Sequence, residues 1–206
     1  MPLALLIGTK NRGKLVEIQS ILSGLDLKLL PLTDFLQAPN VVEDGLTYRD
    51  NAIKKARTIA AWSGQLTLAE DSGLEVAAIG GEPGIYTARF GGPGLSSHER
   101  CLYLLERLRE VPDDQRQAVF RCVAVLMDPH GRMTVREGQC PGMIRRDLRG
   151  ERGFGYDPLF QLPAHGCTLA ELAAEEKDVI SHRAQAIRAM IPALIALAQE
   201  GSWTAS

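Results

Sequence analysis

The amino-terminal stretch LALLIGTKNRGKLVEIQSILSG, residues 3–24, joins the pattern of a buried strand to that of an amphipathic helix. Residues 3–7 are continuously apolar, which is typical of a strand covered on both faces. Apolar residues then recur at helical spacing over 15–22, with Asn11 suited to cap the helix and Gly24 to end it. The stretch predicts a strand, a tight loop and a helix.

The next segments repeat this alternation. Residues 27–30 predict a second strand, and a helix capped by Thr47 runs to about Trp62. This helix places Asn51 and Lys55 four residues apart, and therefore on one face.

The middle of the chain adds strands. Residues 66–69 predict a short strand that ends in an acidic turn at 70–73. Residues 119–127 and 133–140 flank a turn-rich tetrapeptide and predict a β-hairpin.

Two features mark the carboxyl-terminal part. Thr168 and Glu171 have capping-box spacing and predict the start of a helix. The last helix begins near Ser181, and Pro192 either kinks it or starts a new segment. Because helices and strands alternate early and a hairpin enters later, we expect an α/β fold.

The composition sets the class of protein. With 206 residues, 45% of them apolar and 23% charged, the chain is an ordinary globular one. The formal net charge is -2, whereas a nucleic-acid binder usually carries an excess of basic residues. The apolar runs are too short for a signal peptide or a membrane span. We therefore expect no nucleic acid and no membrane as partners.

The cysteines bear on the compartment. Their spacing forms neither a CxxC metal pair nor a disulfide framework, so a reducing cytoplasm is the simplest location. They lie at positions 101, 122, 140 and 167.

The loop at residues 8–14, GTKNRGK, matches the first part of a P-loop, but Leu15 stands where a P-loop needs Ser or Thr. Its glycines, the following helix N-terminus and the charge of Lys14 still suit an anion such as phosphate. The alternative is a tight strand-to-helix turn with solvated basic residues.

Two acidic pairs, Glu43-Asp44 and Glu70-Asp71, follow. Carboxylates at the end of a strand suit a hard cation such as magnesium, and one of them suits a general base. The alternatives are a solvated loop for the first pair and an Asx-type turn for the second.

A third group suits a purine base. The aromatic rings of the 154–157 segment suit stacking on a base, and its carboxylate suits reading the base edge. Lys177, His182 and Arg183 bring hydrogen-bond donors together near a helix start. The alternative for the 154–157 segment is that its aromatic residues belong to the core beside a run of surface charges. The alternative for His182 is a structural role.

Taken together, six segments in consistent order resemble the non-standard purine nucleoside triphosphate pyrophosphatases, the inosine/xanthosine triphosphate pyrophosphatase family. They are GTKNRGKLVEI at 8–18, EDGLTYRDNAIKKA at 43–56, LAEDSGLEV at 68–76, GEPGIYTARFGG at 81–92, GFGYDPLF at 153–160 and AELAAEEKDVISHRAQA at 170–186.

The resemblance implies hydrolysis of ITP, dITP and XTP to the monophosphate and pyrophosphate, which cleanses the nucleotide pool. It implies a magnesium-dependent (Mg2+), cytoplasmic, homodimeric enzyme. The implied fold is a single α/β domain over 1–206, in which a long mixed β-sheet divides two lobes and the nucleotide lies in the cleft between them.

The resemblance also assigns residues. Asp71 is the general base and a metal ligand, Glu43 is a second ligand and Glu70 a further candidate. The residues implied to bind substrate are Thr9, Asn11, Gly13, Lys14 and Lys55 at the triphosphate, Ser72, and then Phe154, Gly155, Tyr156, Asp157, Lys177, His182 and Arg183 around the base.

Two other functions fit parts of the sequence. The GTKNRGK loop also suits a P-loop-like phosphotransferase, and nucleotide binding without turnover would make the protein a sensor. The clustered carboxylates disfavour a sensor, because they repel phosphates unless a metal ion lies between.

Overall fold

A computed structural model describes residues 2–200 of the chain. Seven strands form one mixed sheet in the order β2-β1-β3-β4-β5-β6-β7. The strands are β1 Leu3–Ile7, β2 Leu27–Pro31, β3 Thr67–Val76, β4 Gln117–Met127, β5 Met133–Ile144, β6 Phe160–Leu162 and β7 Cys167–Thr168. The α-helices are α1 Arg12–Leu22, α2 Tyr48–Ser63, α3 Ser97–Arg107, α4 Ala174–Ile180, α5 His182–Arg188 and α6 Ile191–Glu200. The expected α/β fold with a mixed sheet and packed helices is confirmed.

The described chain forms two compact units. The first unit contains the residues up to Asp71, Cys122–Gly138 and the residues from Arg183 onward. The second unit contains Ser72–Arg121 and Gln139–His182.

In the first unit, strand β1 is covered on both faces. It pairs in parallel with β2 and β3. Leu5 and Ile7 point into a core formed with α1, α5 and α6, whereas Leu6 packs with Ile59 of α2. Because successive side chains of a strand alternate in direction, this arrangement requires the unbroken apolar run seen in the sequence.

The helix ends follow local chemistry. Asn11 caps α1, and its side chain accepts a hydrogen bond from the backbone nitrogen of Lys14 at 3.1 Å. Thr47 caps α2 in the same way, and Gly64 ends that helix in the left-handed conformation. Helix α1 ends at Leu22, two residues before the predicted stop. Both predicted N-caps are confirmed.

The predicted acidic turn at 70–73 is wrong. Strand β3 continues through it from Thr67 to Val76. Acidic residues favour turns when they are solvated. Here Glu70 and Asp71 are buried and lie against cationic side chains, so the strand can carry them through the core.

The helix predicted from Thr168 and Glu171 is also wrong. The Glu171 carboxylate does accept a hydrogen bond from the backbone nitrogen of Thr168 at 2.7 Å. The Thr168 hydroxyl, however, donates to the carbonyl of Arg149, and α4 begins only at Ala174. Of the two alternatives for Pro192, the new segment is right, because α6 starts at Ile191.

The second unit has its own core. Strands β5, β6 and β7 are antiparallel neighbours, with Ile144 opposite Phe160. Phe160 and Leu104 of α3 are completely buried in this core. Within residues 2–200, no helix is long and apolar enough to cross a membrane.

Candidate active site

Strand β3 sends its two consecutive carboxylates to opposite faces of the sheet. Glu70 shares the face of Leu68, which packs with α1 and α5, and Asp71 points towards α2. The ammonium of Lys14 lies 2.9 Å from Oε1 of Glu70, and that of Lys55 lies 3.2 Å from Oδ1 of Asp71. Each carboxylate therefore faces a lysine from a different helix.

The Asp71 side is a small network. Asn51 donates from Nδ2 to Oδ2 of Asp71 at 3.1 Å, and its own oxygen accepts from the backbone nitrogen of Gly45 at 2.8 Å. Lys55 also binds Oε1 of Glu43 at 2.7 Å. The i, i+4 spacing of Asn51 and Lys55 places both on the same face of α2. The loop before α2 is thereby tied to the acidic strand.

Charge and burial set the proton affinities of this network. Burial raises the pKa of Asp71 above its ordinary value, and the charges of Lys55 and Lys14 offset this only in part. Burial alone would lower the pKa of Lys55, but the charges of Asp71, Glu70 and Glu43 outweigh it and raise the pKa. Lys55 is therefore firmly cationic, and Asp71 has the raised proton affinity that a general base needs.

The Glu70 side is fully buried. Burial would raise the pKa of Glu70, but the charges of Lys14, Arg183 and Lys55 hold the pKa well below its usual range. The sulfur of Cys122 lies 3.5 Å from Oε2 of Glu70. Arg183 also pairs with Glu17, so its guanidinium lies between two carboxylates.

The loop at residues 8–14 leads directly into α1. The Thr9 hydroxyl accepts a hydrogen bond from the backbone nitrogen of Asn11 at 3.1 Å. A Cβ at Gly8 would lie 3.1 Å from Ile59 and 3.3 Å from the carbonyl of Leu68, so only glycine fits there comfortably. Residues 12–14 of the predicted loop form the first turn of this 11-residue helix, so the partly exposed side chain of Lys14 lies at a helix N-terminus, which favours anions.

In the second unit, the segment 153–157 is held by its own side chains. Asp157 Oδ2 accepts from the backbone nitrogen of Phe154 at 2.8 Å and from Lys177 at 2.5 Å. Tyr156 donates its hydroxyl proton to the carbonyl of Thr87 at 3.2 Å. The buried Asp157 carboxylate therefore anchors the segment. That it also reads a base edge stays a prediction.

Further contacts hold Phe154 and Gly155. The ammonium of Lys177 lies 5.3 Å from the centroid of the Phe154 ring. The sulfur of Cys101 lies 3.4 Å from the carbonyl oxygen of Gly155. The backbone of this segment is thus fixed before any ligand arrives.

His182 is the first residue of α5 and is buried against an aromatic ring. Its imidazole stacks on Phe120 with ring centroids 4.7 Å apart and an interplanar angle of 9°. Ser72, the first residue of the second unit, is half-buried in β3.

The expected site residues are divided between the two units, and their roles stay predictions. The first unit holds Thr9, Asn11, Gly13, Lys14, Glu43, Lys55, Glu70, Asp71 and Arg183, and the second holds Ser72, Phe154, Gly155, Tyr156, Asp157, Lys177 and His182. Asp44, which also lies in the first unit, pairs with Lys54 at the surface.

Sequence reasoning missed the residues that support these groups: Glu17, Asn51, Thr87, Cys101, Phe120 and Cys122. Only the spacing of Asn51 and Lys55 gave a signal in advance. The other contacts join residues that are far apart in the sequence.

The types of side chain in the site suit a bound divalent cation, but their arrangement in the structure does not. Carboxylate oxygens, as in Glu43, Glu70 and Asp71, are the ligands that magnesium prefers. In the part of the chain that the structure describes, however, no three His, Cys, Asp or Glu side chains are grouped closely enough to hold a metal ion. The ammonium groups of Lys14 and Lys55 neutralise the carboxylates instead.

The fold and these residues define an α/β protein in which a lysine at the start of α1 lies beside a buried acidic strand. The chain belongs to the Ham1 family, whose model matches residues 5–193. The resemblance found in the sequence is thereby confirmed.

Individual relatives agree with this assignment. A dITP/XTP pyrophosphatase from Desulforamulus reducens is 46% identical over 184 residues, covering 89% of this chain and 92% of that protein. A dITP/XTP pyrophosphatase from Thermus thermophilus is 47% identical over 188 residues, covering 91% and 89%. The solved structure of a HAM1 protein from Coxiella burnetii matches with a TM-score of 0.84 and 39% identity, covering 94% of this chain and 98% of that one.

Proposed function

We propose that this protein hydrolyses the non-standard purine nucleoside triphosphates ITP, dITP and XTP to the monophosphate and pyrophosphate, using magnesium. The observation that carries the proposal is the placement of Asp71, a buried carboxylate of raised pKa held by Asn51 and Lys55. The names of the relatives, dITP/XTP pyrophosphatases, support dITP and XTP as substrates and the release of pyrophosphate.

In this mechanism, Asp71 accepts the proton of a water molecule that attacks the α-phosphorus. The bond from that phosphorus to the bridging oxygen breaks, and pyrophosphate leaves. Lys14 and the free N–H groups at the start of α1 stabilise the negative charge that develops on the leaving group. Lys55 holds Asp71 and Glu43 in place.

Magnesium, when bound, would neutralise phosphate charge and polarise the attacked phosphoryl group. Glu43 and Asp71, which both contact Lys55, would hold it, and an anionic substrate would bring further oxygen ligands. Glu70 points to the opposite face of β3, where it pairs with Lys14. The phosphates of such a substrate would also compete for the ammonium groups that now neutralise these carboxylates.

The second unit would bind the base. Phe154 offers a ring face for stacking, and the fixed Gly155 and Tyr156 backbone shapes the site around it. Hypoxanthine and xanthine carry a 6-oxo acceptor where adenine carries an amino group, so a fixed donor such as His182 favours them. The expected homodimer and cytoplasmic location belong to the same proposal.

A P-loop-like phosphotransferase is disfavoured by Leu15, whose side chain packs on the apolar core of the first unit. No hydroxyl stands at this position to hold a metal ion.

The test incubates purified protein and magnesium separately with ITP, XTP, ATP and GTP and identifies the products by chromatography. We expect monophosphate and pyrophosphate from ITP and XTP, with ATP and GTP largely spared. Nucleoside diphosphate with orthophosphate as products would favour the phosphotransferase. Binding of the triphosphate without turnover would favour a sensor. Omitting magnesium tests the cofactor in the same assay.

A further inference from the structure

The plane of the His182 ring is set by packing in the core of the second unit. The torsion that rotates an imidazole about its bond to Cβ has a broad energy profile, so the rotamer alone leaves the ring plane loosely defined. His182 is buried, and Phe120 covers one face of its ring in a nearly parallel stack, at 4.7 Å and 9°.

Phe120 is itself rigidly placed. It lies on the 11-residue strand β4 and is only 6% exposed. Phe120 also packs against the fully buried Phe160, with ring centroids 4.6 Å apart and an interplanar angle of 47°. Phe120 therefore lies between Phe160 in the core and His182 at the start of α5.

We propose that Phe120 is a positioning residue that fixes the imidazole plane of His182 and so aims its in-plane nitrogen atoms at the purine base. This inference rests on the proposed function and deepens it. Imidazole donates and accepts hydrogen bonds in the plane of its ring, so a change of plane misdirects both nitrogens. A hydrogen-bond donor of fixed direction discriminates a 6-oxo acceptor from an amino group. An imidazole ring that turns freely can form a hydrogen bond with either group and so does not discriminate.

The test compares two variants that lose the same atoms from the same core. Phe120→Leu keeps an apolar side chain but removes the flat ring under His182. Phe90→Leu is the matched control, because Phe90 is 8% exposed in the same core and packs edge-to-face on Tyr103. For both variants, kcat/KM is measured with ITP, whose base has a 6-oxo group, and with ATP, whose base has a 6-amino group. Inhibition by tripolyphosphate, which has no base, reports on the phosphate site alone.

We expect Phe120→Leu to lower kcat/KM for ITP by about tenfold and to reduce the preference for ITP over ATP, because a misaligned group costs rate steeply. Inhibition by tripolyphosphate should be unchanged, and Phe90→Leu should keep the preference. If Phe120→Leu keeps the wild-type preference, or if Phe90→Leu loses it equally, the positioning role is overturned.

A double-mutant cycle shows whether Phe120 acts through His182. In a His182→Ala background, Phe120→Leu should have no further effect on the ratio of ITP to ATP turnover. An undiminished effect in that background would overturn the proposal. Failure of the proposed function has a different signature, because wild-type protein would then leave ITP uncleaved, and the role of Phe120 in base selection would fall with it.

Discussion

Lys14 and Glu70 form an ion pair of 2.9 Å in which the carboxylate is completely buried while the lysine side chain keeps 16% of its surface exposed. The lysine in the first turn of α1 is thus held by a carboxylate of strand β3. One end of the pair faces the core, and the other can meet a ligand.

Lys14→Met should weaken the binding of inosine triphosphate much more than that of the monophosphate. It should also lower the free energy of unfolding by about 1–3 kcal/mol, because it removes a partner of a buried charge. Adding Glu70→Gln should restore part of the stability without restoring binding. Calorimetric titration and urea denaturation measure the two effects, and equal losses for both nucleotides would place Lys14 away from the phosphates.

Asp71→Asn should reduce kcat by about 10²–10⁴-fold, the usual contribution of a general base. The fold should persist, because Lys55 keeps its contact with Glu43. Asp44→Asn, in the neighbouring acidic loop, is the control and should leave kcat near the wild-type value. A wild-type rate in Asp71→Asn would show that another group takes the proton.

Arg116 should be the most sensitive arginine for stability in the second unit. Its buried guanidinium donates to the carbonyl groups of Leu108, Val111, Ile144 and Arg145. Arg116→Met leaves these acceptors without their donor and should lower the free energy of unfolding by about 3 kcal/mol.

The control for that change is Arg121→Met, which removes a half-exposed ion pair with Glu75 and should cost less than about 1 kcal/mol. Urea denaturation of both variants decides the comparison. Equal costs would show that the carbonyl contacts of Arg116 contribute nothing beyond a surface pair.

Gly153→Ala should disrupt the segment that carries Phe154. Gly153 has φ +72°, and a Cβ there would collide with Oδ2 of Asp157, the atom that binds Lys177. We expect a loss of ITP affinity well beyond that of Gly166→Ala, where φ is +67° but no atom lies within 4 Å of the added Cβ. Similar KM values for both variants would show that strain alone matters.

Asp128 predicts a dependence of stability on pH. Burial raises its pKa, but hydrogen bonds from Arg132 and from the backbone of His130 outweigh it, so the pKa lies below the ordinary value of 3.8. Because the folded state favours the ionised form, this stabilisation is present above about pH 4 and is lost as the pH falls through the folded-state pKa.

The check for Asp128 is the variant Asp128→Asn, which should unfold more easily than wild type by about 1 kcal/mol at neutral pH. The difference should shrink below pH 4. Thermal or urea unfolding at several pH values measures it, and a difference that stays constant down to pH 2 would contradict the assignment.

Local chemistry made much of the fold predictable. The apolar run of β1 and the caps at Asn11 and Thr47 each depend on neighbours within a few residues, and they appear as expected. The acidic pair misled the prediction of a turn because its compensating charges, Lys14 and Lys55, lie on other elements. Burial of a charge depends on partners that a local pattern does not contain.

The candidate site shows the same division. Its residue types could be picked out along the chain, but their pairing could not. Arg183 and Glu17 are 166 positions apart and meet only because α5 and α1 pack on the same face of the sheet. The support of His182 by Phe120 likewise requires the fold, because nothing near either residue in the sequence indicates a stack.

Side chains along β3 alternate between the two faces of the sheet, and this alternation limits the changes in length that the strand can tolerate. Glu70 meets Lys14 on one face and Asp71 meets Lys55 on the other. Deleting or inserting one residue between Thr67 and Glu70 would exchange the faces and present each carboxylate to the opposite helix. A change of two residues would preserve the faces but move each carboxylate about 7 Å along the strand. Even-numbered length changes therefore keep each acid on the face of its own lysine, although the two partners no longer lie opposite each other.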